Sequence, residues 1–176
     1  MEKHINAQEL KTIAPTLHMG EKILLSGVIY TARDQAHLCM MQALDAGELL
    51  PFAIDGAAIY YAGPTEAQPG MAIGSCGPTT SKRMDRFAPR LLDLGLSCMI
   101  GKGPRDKTVV EAMKRNGAVY LCAIGGAGAL AYRCIKRCDV IAYDELGCES
   151  VKRLTVEDFP LIVGIDTAGN SIFDRK

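Results

Sequence analysis

The 176-residue chain carries 20 Lys plus Arg against 20 Asp plus Glu. A chain of this length fits one domain that buries about 70% of its unfolded surface, and a balanced charge leaves no global field for nucleic acid or an anionic membrane. Seven cysteines, odd in number and without a Cys-x-x-Cys pair, argue against a disulfide framework and read as reduced core thiols in a cytoplasm.

In chain order, Met1 is followed by the polar EKHINAQEL, which is not a basic and apolar leader. KILLSGVIY then predicts a strand over 22–30, and TARDQAHLCMMQALDAG places apolar residues at helical spacing up to Gly47. Thr31 with Asp34 fits a capping box at the start of that helix. Residues 51–77 are rich in Gly, Pro and short apolar runs, so short strands and turns are expected. RFAPRLLDLG predicts a helix, LSCMIGKG a strand, KTVVEAMKRNG a helix, AVYLCAIGG a strand, AGALAYRCIKR a helix and CDVIAYDE a strand. The remainder suggests two more strands, the last ending before a turn at Gly169 and Asn170. Strands alternating with helices predict α/β architecture with a central, partly parallel sheet flanked by helices, in a single domain over 1–176. The longest apolar stretch, GAVYLCAIGGAGALAY, is glycine-rich and falls short of the ~18 residues of a membrane span, so a soluble, cytoplasmic chain without membrane or nucleic-acid partners is expected.

Candidate functional residues follow predicted strand ends, where α/β proteins usually bind ligands. Arg33 sits in the first turn of a helix, a place that prefers acidic side chains, so it needs another partner or is simply a surface arginine. Gly77 and Pro78 break a strand before Thr79, Thr80 and Ser81, which can cap a helix or donate to an anion. Arg83 adds a planar fork suited to a carboxylate or phosphate. Three hydroxyls with two cations exceed the needs of a cap, yet the Walker spacing is missing. Lys102 lies between Gly101 and Gly103, with a solvent-facing turn as the alternative. Gly126-x-Gly128-x-x-Ala131 with Asp144 has the order of a dinucleotide fingerprint, although too few βα units follow it. Cys134, Cys138 and Cys148 lack metal-ligand spacing, and His4, His18 and His37 form no catalytic triad order, although His37 lies one helical turn beyond Arg33.

Taken together, SGVIYTARDQAH, GPTTSKRMD, MIGKG and FPLIVGIDTAGN resemble the β subunit, or C-terminal domain, of the iron-sulfur class I fumarate hydratase and L-tartrate dehydratase family. The resemblance covers nearly the whole chain and implies a swivelling β/β/α domain. It also implies a [4Fe-4S] cluster held by three cysteines of a larger alpha subunit, a region absent here, so the chain is expected to form part of a hetero-oligomer and to self-associate when alone. Arg33 and Arg83 match substrate-carboxylate ligands, Lys102 matches a further substrate-binding cation, and Thr79 matches a residue assigned to proton abstraction. Lys82 stands where the family often has a small residue, which leaves fumarate and tartrate both open. The implied reaction is reversible hydration of fumarate to L-malate, or dehydration of L-tartrate to oxaloacetate. A dinucleotide module using the Gly126 loop and a non-catalytic anion-binding subunit are the readings from other classes.

Overall fold

The computed structural model describes residues 2–123 and 128–174. The polar opening holds a strand that the pattern did not announce: β1 (Lys3–Asn6) buries only Ile5, too little alternation to mark a strand by itself. It is followed by a short helix, α1 (Leu10–Ile13), and runs parallel to β2 (Lys22–Thr31). Helix α2 (Asp34–Asp45) begins where the sequence places it, but the predicted capping box does not form. Thr31 remains in β2, where its buried hydroxyl accepts from the Lys152 N–H at 3.1 Å. Glu149 supplies the missing acceptor from a distant turn, taking the Gln35 N–H at 3.3 Å, so a tertiary contact satisfies one of the unpaired donors of the helix start.

The elements then alternate as expected: β3 (Ala58–Tyr60), α3 (Ala88–Asp93), β4 (Cys98–Gly101), α4 (Lys107–Asn116), β5 (Val119–Ala123) and α5 (Gly128–Cys134). Two boundaries differ from the sequence reading. The predicted helix over 127–137 ends at Cys134, because Ile135 buries itself opposite Val156 and opens β6 (Ile135–Ala142). The two C-terminal strands are one, β7 (Val151–Ile165), bent at Asp158, which holds φ 50 while its N–H donates to Ser26 Oγ at 2.9 Å.

The seven strands lie in the order β1-β2-β3-β4-β5-β7-β6, and β7 pairs with β2 as well. β1 to β5 are mutually parallel, whereas β7 is antiparallel to β2, β5 and β6. The pairings β2-β3-β4-β5-β7-β2 therefore close a circuit, which removes exposed edges from all five strands. One face carries Tyr60, Cys98, Ile100 and Leu121 in a common apolar cluster; the other carries Ile59, Tyr61, Met99 and Tyr120 against Met40, Leu91 and Met113 of α2, α3 and α4. Burial on both faces explains why these strands read as continuous apolar runs. The observed α/β architecture, a central, partly parallel sheet flanked by helices, is the expected one. Among the described residues, no helix is long and apolar enough to cross a membrane.

His37 is fixed in the layer between α2 and the sheet. It is fully buried, its ring lies 5.5 Å from Phe87 and 5.6 Å from Tyr61, and Nδ1 donates to the Arg33 carbonyl at 2.8 Å. Burial pulls its pKa from 6.5 down to about 4, with the Arg105 charge adding to the effect and the Arg33 carbonyl opposing it. Below pH 6.5 the unfolded chain takes up this proton before the folded one does, so stability falls with pH until about pH 4. The depressed pKa corresponds to about 3 kcal/mol across that window, fully present above it. Urea unfolding at pH 7 and pH 4.5 is expected to show the loss, and His37→Gln to flatten it. An equal acid loss in His37→Gln would assign the effect elsewhere.

Candidate functional site

β2, β3 and β4 are parallel neighbours, so their C-terminal ends lie side by side, and the three motifs meet there. TARD leaves the end of β2 and Gly-Lys-Gly the end of β4. Between them runs the GPTTS segment: the Thr79 N–H donates to the Tyr61 carbonyl at 2.7 Å, Thr80 forms a parallel bridge to Lys102, and the Ser81 N–H donates to the Lys102 carbonyl at 2.9 Å. The close crossing demands glycine at 101, where a Cβ would strike Ser81 and stand 2.9 Å from the Tyr61 ring.

The three hydroxyls divide their work. Ser81 is buried, with Oγ 2.8 Å from Tyr120 Oη. Thr80 is exposed at the start of the 3-10 turn Ser81–Met84 without capping it through its side chain. Thr79 is half-buried beside the exposed Lys102 segment.

Each arginine meets an internal carboxylate. Arg83 Nε donates to Asp34 Oδ1 at 3.2 Å, and Nη2 stands 2.7 Å from Oδ2 in an ion contact without hydrogen-bond alignment. The RMD and TARD segments are thereby joined. Arg33 passes over Gly63, where a Cβ would stand 2.8 Å from Nη1, and its Nε lies 3.9 Å from Glu149 Oε1. That Nε is buried without a hydrogen-bond partner, a costly state for a charged donor. Lys82 turns to Asp106, 3.4 Å away, with both side chains at least half exposed. Its charge thus faces the start of α4.

Beneath the motifs lies a polar support that the sequence reading missed. Tyr120 Oη donates to the Gly103 carbonyl at 2.9 Å while holding Ser81, tying GPTTS to Gly-Lys-Gly. Asp85 accepts from Arg105 Nε at 2.6 Å and from the Asp106 N–H at 2.7 Å, and Arg105 Nη2 donates to Tyr61 Oη at 3.2 Å. The Arg105 guanidinium also faces the Tyr61 and Tyr120 rings at 5.2 and 5.0 Å. Desolvation pushes the phenol pKa values of Tyr61 and Tyr120 up, so both remain hydrogen-bonding groups rather than phenolates at neutral pH. The sequence signal for this network was only a pair of charges, Asp85 at the end of GPTTSKRMD and Arg105 two residues beyond Gly-Lys-Gly.

A cleft of about 440 Å³ lies between the 64–73 segment, β6 and the 144–150 turn. None of the four predicted site residues lines it. The Lys152 ammonium at its edge reaches three carbonyls and Ser150 Oγ at 2.8–3.3 Å, which fills its donors and fastens the turn. Arg33, Thr79, Arg83 and Lys102 instead lie along the rim formed by the ends of β2, β3 and β4.

Cys76 and Cys122 lie under the sheet and within β5 as protonated thiols. Burial pushes the thiol of Cys76 up to about 12 and that of Cys122 up to about 11, against the thiolates that metal binding needs. Among the described residues no group of three or more His, Cys, Asp or Glu is placed to hold a metal. For the dinucleotide reading, Gly126 lies outside the described residues. Among the described residues, the strand that follows, β6, pairs with β7 and antiparallel, where the fingerprint needs a parallel strand, and Asp144 lies in a turn.

A mixed sheet whose parallel strand ends carry the segments of Arg33, Thr79, Arg83 and Lys102 defines an α/β protein in which these side chains form a candidate site. The chain belongs to the Fumarase C-terminus family, whose model matches residues 2–176. It is 42% identical over 159 residues to the aerobic class I fumarate hydratase of Salmonella typhimurium, covering 89% of this chain and 27% of that protein. Fumarate hydratase 2 of Leishmania major is 40% identical over 159 residues, with 28% of its length covered. A putative L(+)-tartrate dehydratase subunit beta of Methanocaldococcus jannaschii is 41% identical over 165 residues, covering 90% of this chain and 85% of that one. The chain thus spans under a third of the fumarate hydratases it matches and most of the tartrate dehydratase subunit.

Proposed function

We propose that this chain, acting as one domain, is the β subunit of a two-subunit iron-sulfur hydro-lyase that interconverts fumarate and L-malate. The observation that carries the proposal is the convergence of Arg33, Thr79, Arg83 and Lys102 at the ends of β2, β3 and β4. Hydration of a dicarboxylate needs clamps for two carboxylates and a group to move a proton at the carbon next to the one that gains oxygen. Arg33 and Arg83 supply planar donors for the carboxylates, and Lys102 a third positive charge. Thr79 handles or orients the transferred proton, held by its backbone bond to Tyr61. A [4Fe-4S] cluster on the larger alpha subunit would supply the Lewis acid at the departing hydroxyl. The small share of these longer relatives that this chain spans fits completion of the rim by that larger chain in a hetero-oligomer.

L-tartrate dehydration is the second reading, favoured by the near-equal length of the M. jannaschii relative. Anaerobic co-expression with the larger chain, followed by assays on fumarate, malate and both tartrates, tests both. A cluster-bearing complex that turns over none of them overturns the assignment, while tartrate turnover alone selects the second reading. Within the active complex, Thr79→Ala is expected to abolish exchange of solvent deuterium into the substrate carbon. Preserved exchange would exclude Thr79 as the base and restrict it to orientation.

A further inference from the structure

We propose that Asp34 is the positioning residue that sets Arg83 for its carboxylate; this rests on the dicarboxylate reading of the rim. A guanidinium has five N–H donors in a fixed fork. Asp34 takes the Nε side, with Nε 3.2 Å from Oδ1 and Nη2 2.7 Å from Oδ2. The Nη1 group and the N–H of Nη2 that points away from Asp34 form the end of the fork that can take a carboxylate through two parallel bonds. Arg83 is half exposed, at 52%, so without an anchor its long side chain would sample many rotamers.

Asp34 is a rigid anchor because it is itself placed by the fold. It is the first residue of α2, where an acidic side chain is favoured by the helix dipole, and its side chain is only 20% exposed. Arg33 immediately precedes it, so one helix start fixes both arginines relative to each other. The pairing also joins residues that are 49 positions apart, which makes the clamp dependent on tertiary structure.

The test uses the complex with the larger chain. Asp34→Asn removes the charge at nearly constant shape and is expected to raise KM for fumarate about tenfold with kcat within about threefold, because the clamp acts in ground and transition states alike. Asp34→Glu should recover part of the loss. In an Arg83→Ala background, Asp34→Asn should add nothing to KM. A general structural defect would instead lower the active fraction and hence kcat. If Asp34→Asn folds poorly, Asp34→Ser, which keeps a good helix-start residue, replaces it. An unchanged KM in Asp34→Asn or Asp34→Ser, or an equal rise in the Arg83→Ala background, overturns the inference while the hydro-lyase reading stands. A wild-type complex that turns over no dicarboxylate and does not bind succinate takes down the reading and the inference together.

Discussion

Asp85→Ala is expected to cost about 3–5 kcal/mol of folding stability, the range for breaking a buried ion pair from one side. The side chains of Arg105 and Asp85 are 0% and 3% exposed, so removing the carboxylate strands a guanidinium where water cannot solvate it. The same change deprives the Asp106 N–H of its acceptor at the entrance to α4. The remaining contacts of Arg105, to Tyr61 Oη and to the faces of Tyr61 and Tyr120, offer no formal counter-charge. Replacing both partners, as in Asp85→Leu with Arg105→Met, should be milder than Asp85→Ala alone, since it leaves no buried charge unpaired. Urea denaturation of the three proteins decides this. A loss below about 1 kcal/mol for Asp85→Ala would mean that the pair is not the fixed support of the rim.

The second large effect concerns the proposed clamp. In the active complex, Arg83→Ala is expected to lower kcat/KM by about 10²–10³, the equivalent of roughly 3–4 kcal/mol from two charge-assisted hydrogen bonds lost together. Arg83→Lys should recover only a small part, because an ammonium cannot reproduce the two parallel donors. Arg33→Ala should fall in the same range, with one difference that follows from its surroundings. Arg33 packs over Gly63 and faces Glu149, which also accepts from the Gln35 N–H at the start of α2, so its loss should cost some stability as well. Arg83, half exposed, should show little of that. Steady-state kinetics beside thermal melts separates the two arginines.

Much of this arrangement was readable before any coordinates. β-Branched and apolar runs located β2, β4 and β5, and apolar residues at helical spacing ending at Gly117 located α4. TARD, GPTTSKRMD and GKG located the rim residues, although their separation along the chain hides the fact that three parallel strand ends bring them together. What stayed hidden depends on partners far away in sequence. Thr31 has the local signature of a cap yet bonds to Lys152, and the real acceptor comes from Glu149. Ile135 reads as the continuation of a helix until the edge of β7 is present to pair with it. Asp85 and Arg105 look like surface charges by composition, and only the fold makes them a buried pair. Lys82, which the sequence left facing either the site or solvent, pairs with Asp106.

The most direct test of the central claim is hydration of fumarate by the complex of this chain with its larger partner, wild type against the Arg33→Ala Arg83→Ala double variant. Turnover by the wild type is expected, with a loss of about 10³ or more in kcat/KM for the double variant and the two chains still co-purifying. A double variant that stays within tenfold of wild type would contradict it, and would move carboxylate recognition away from the ends of β2, β3 and β4.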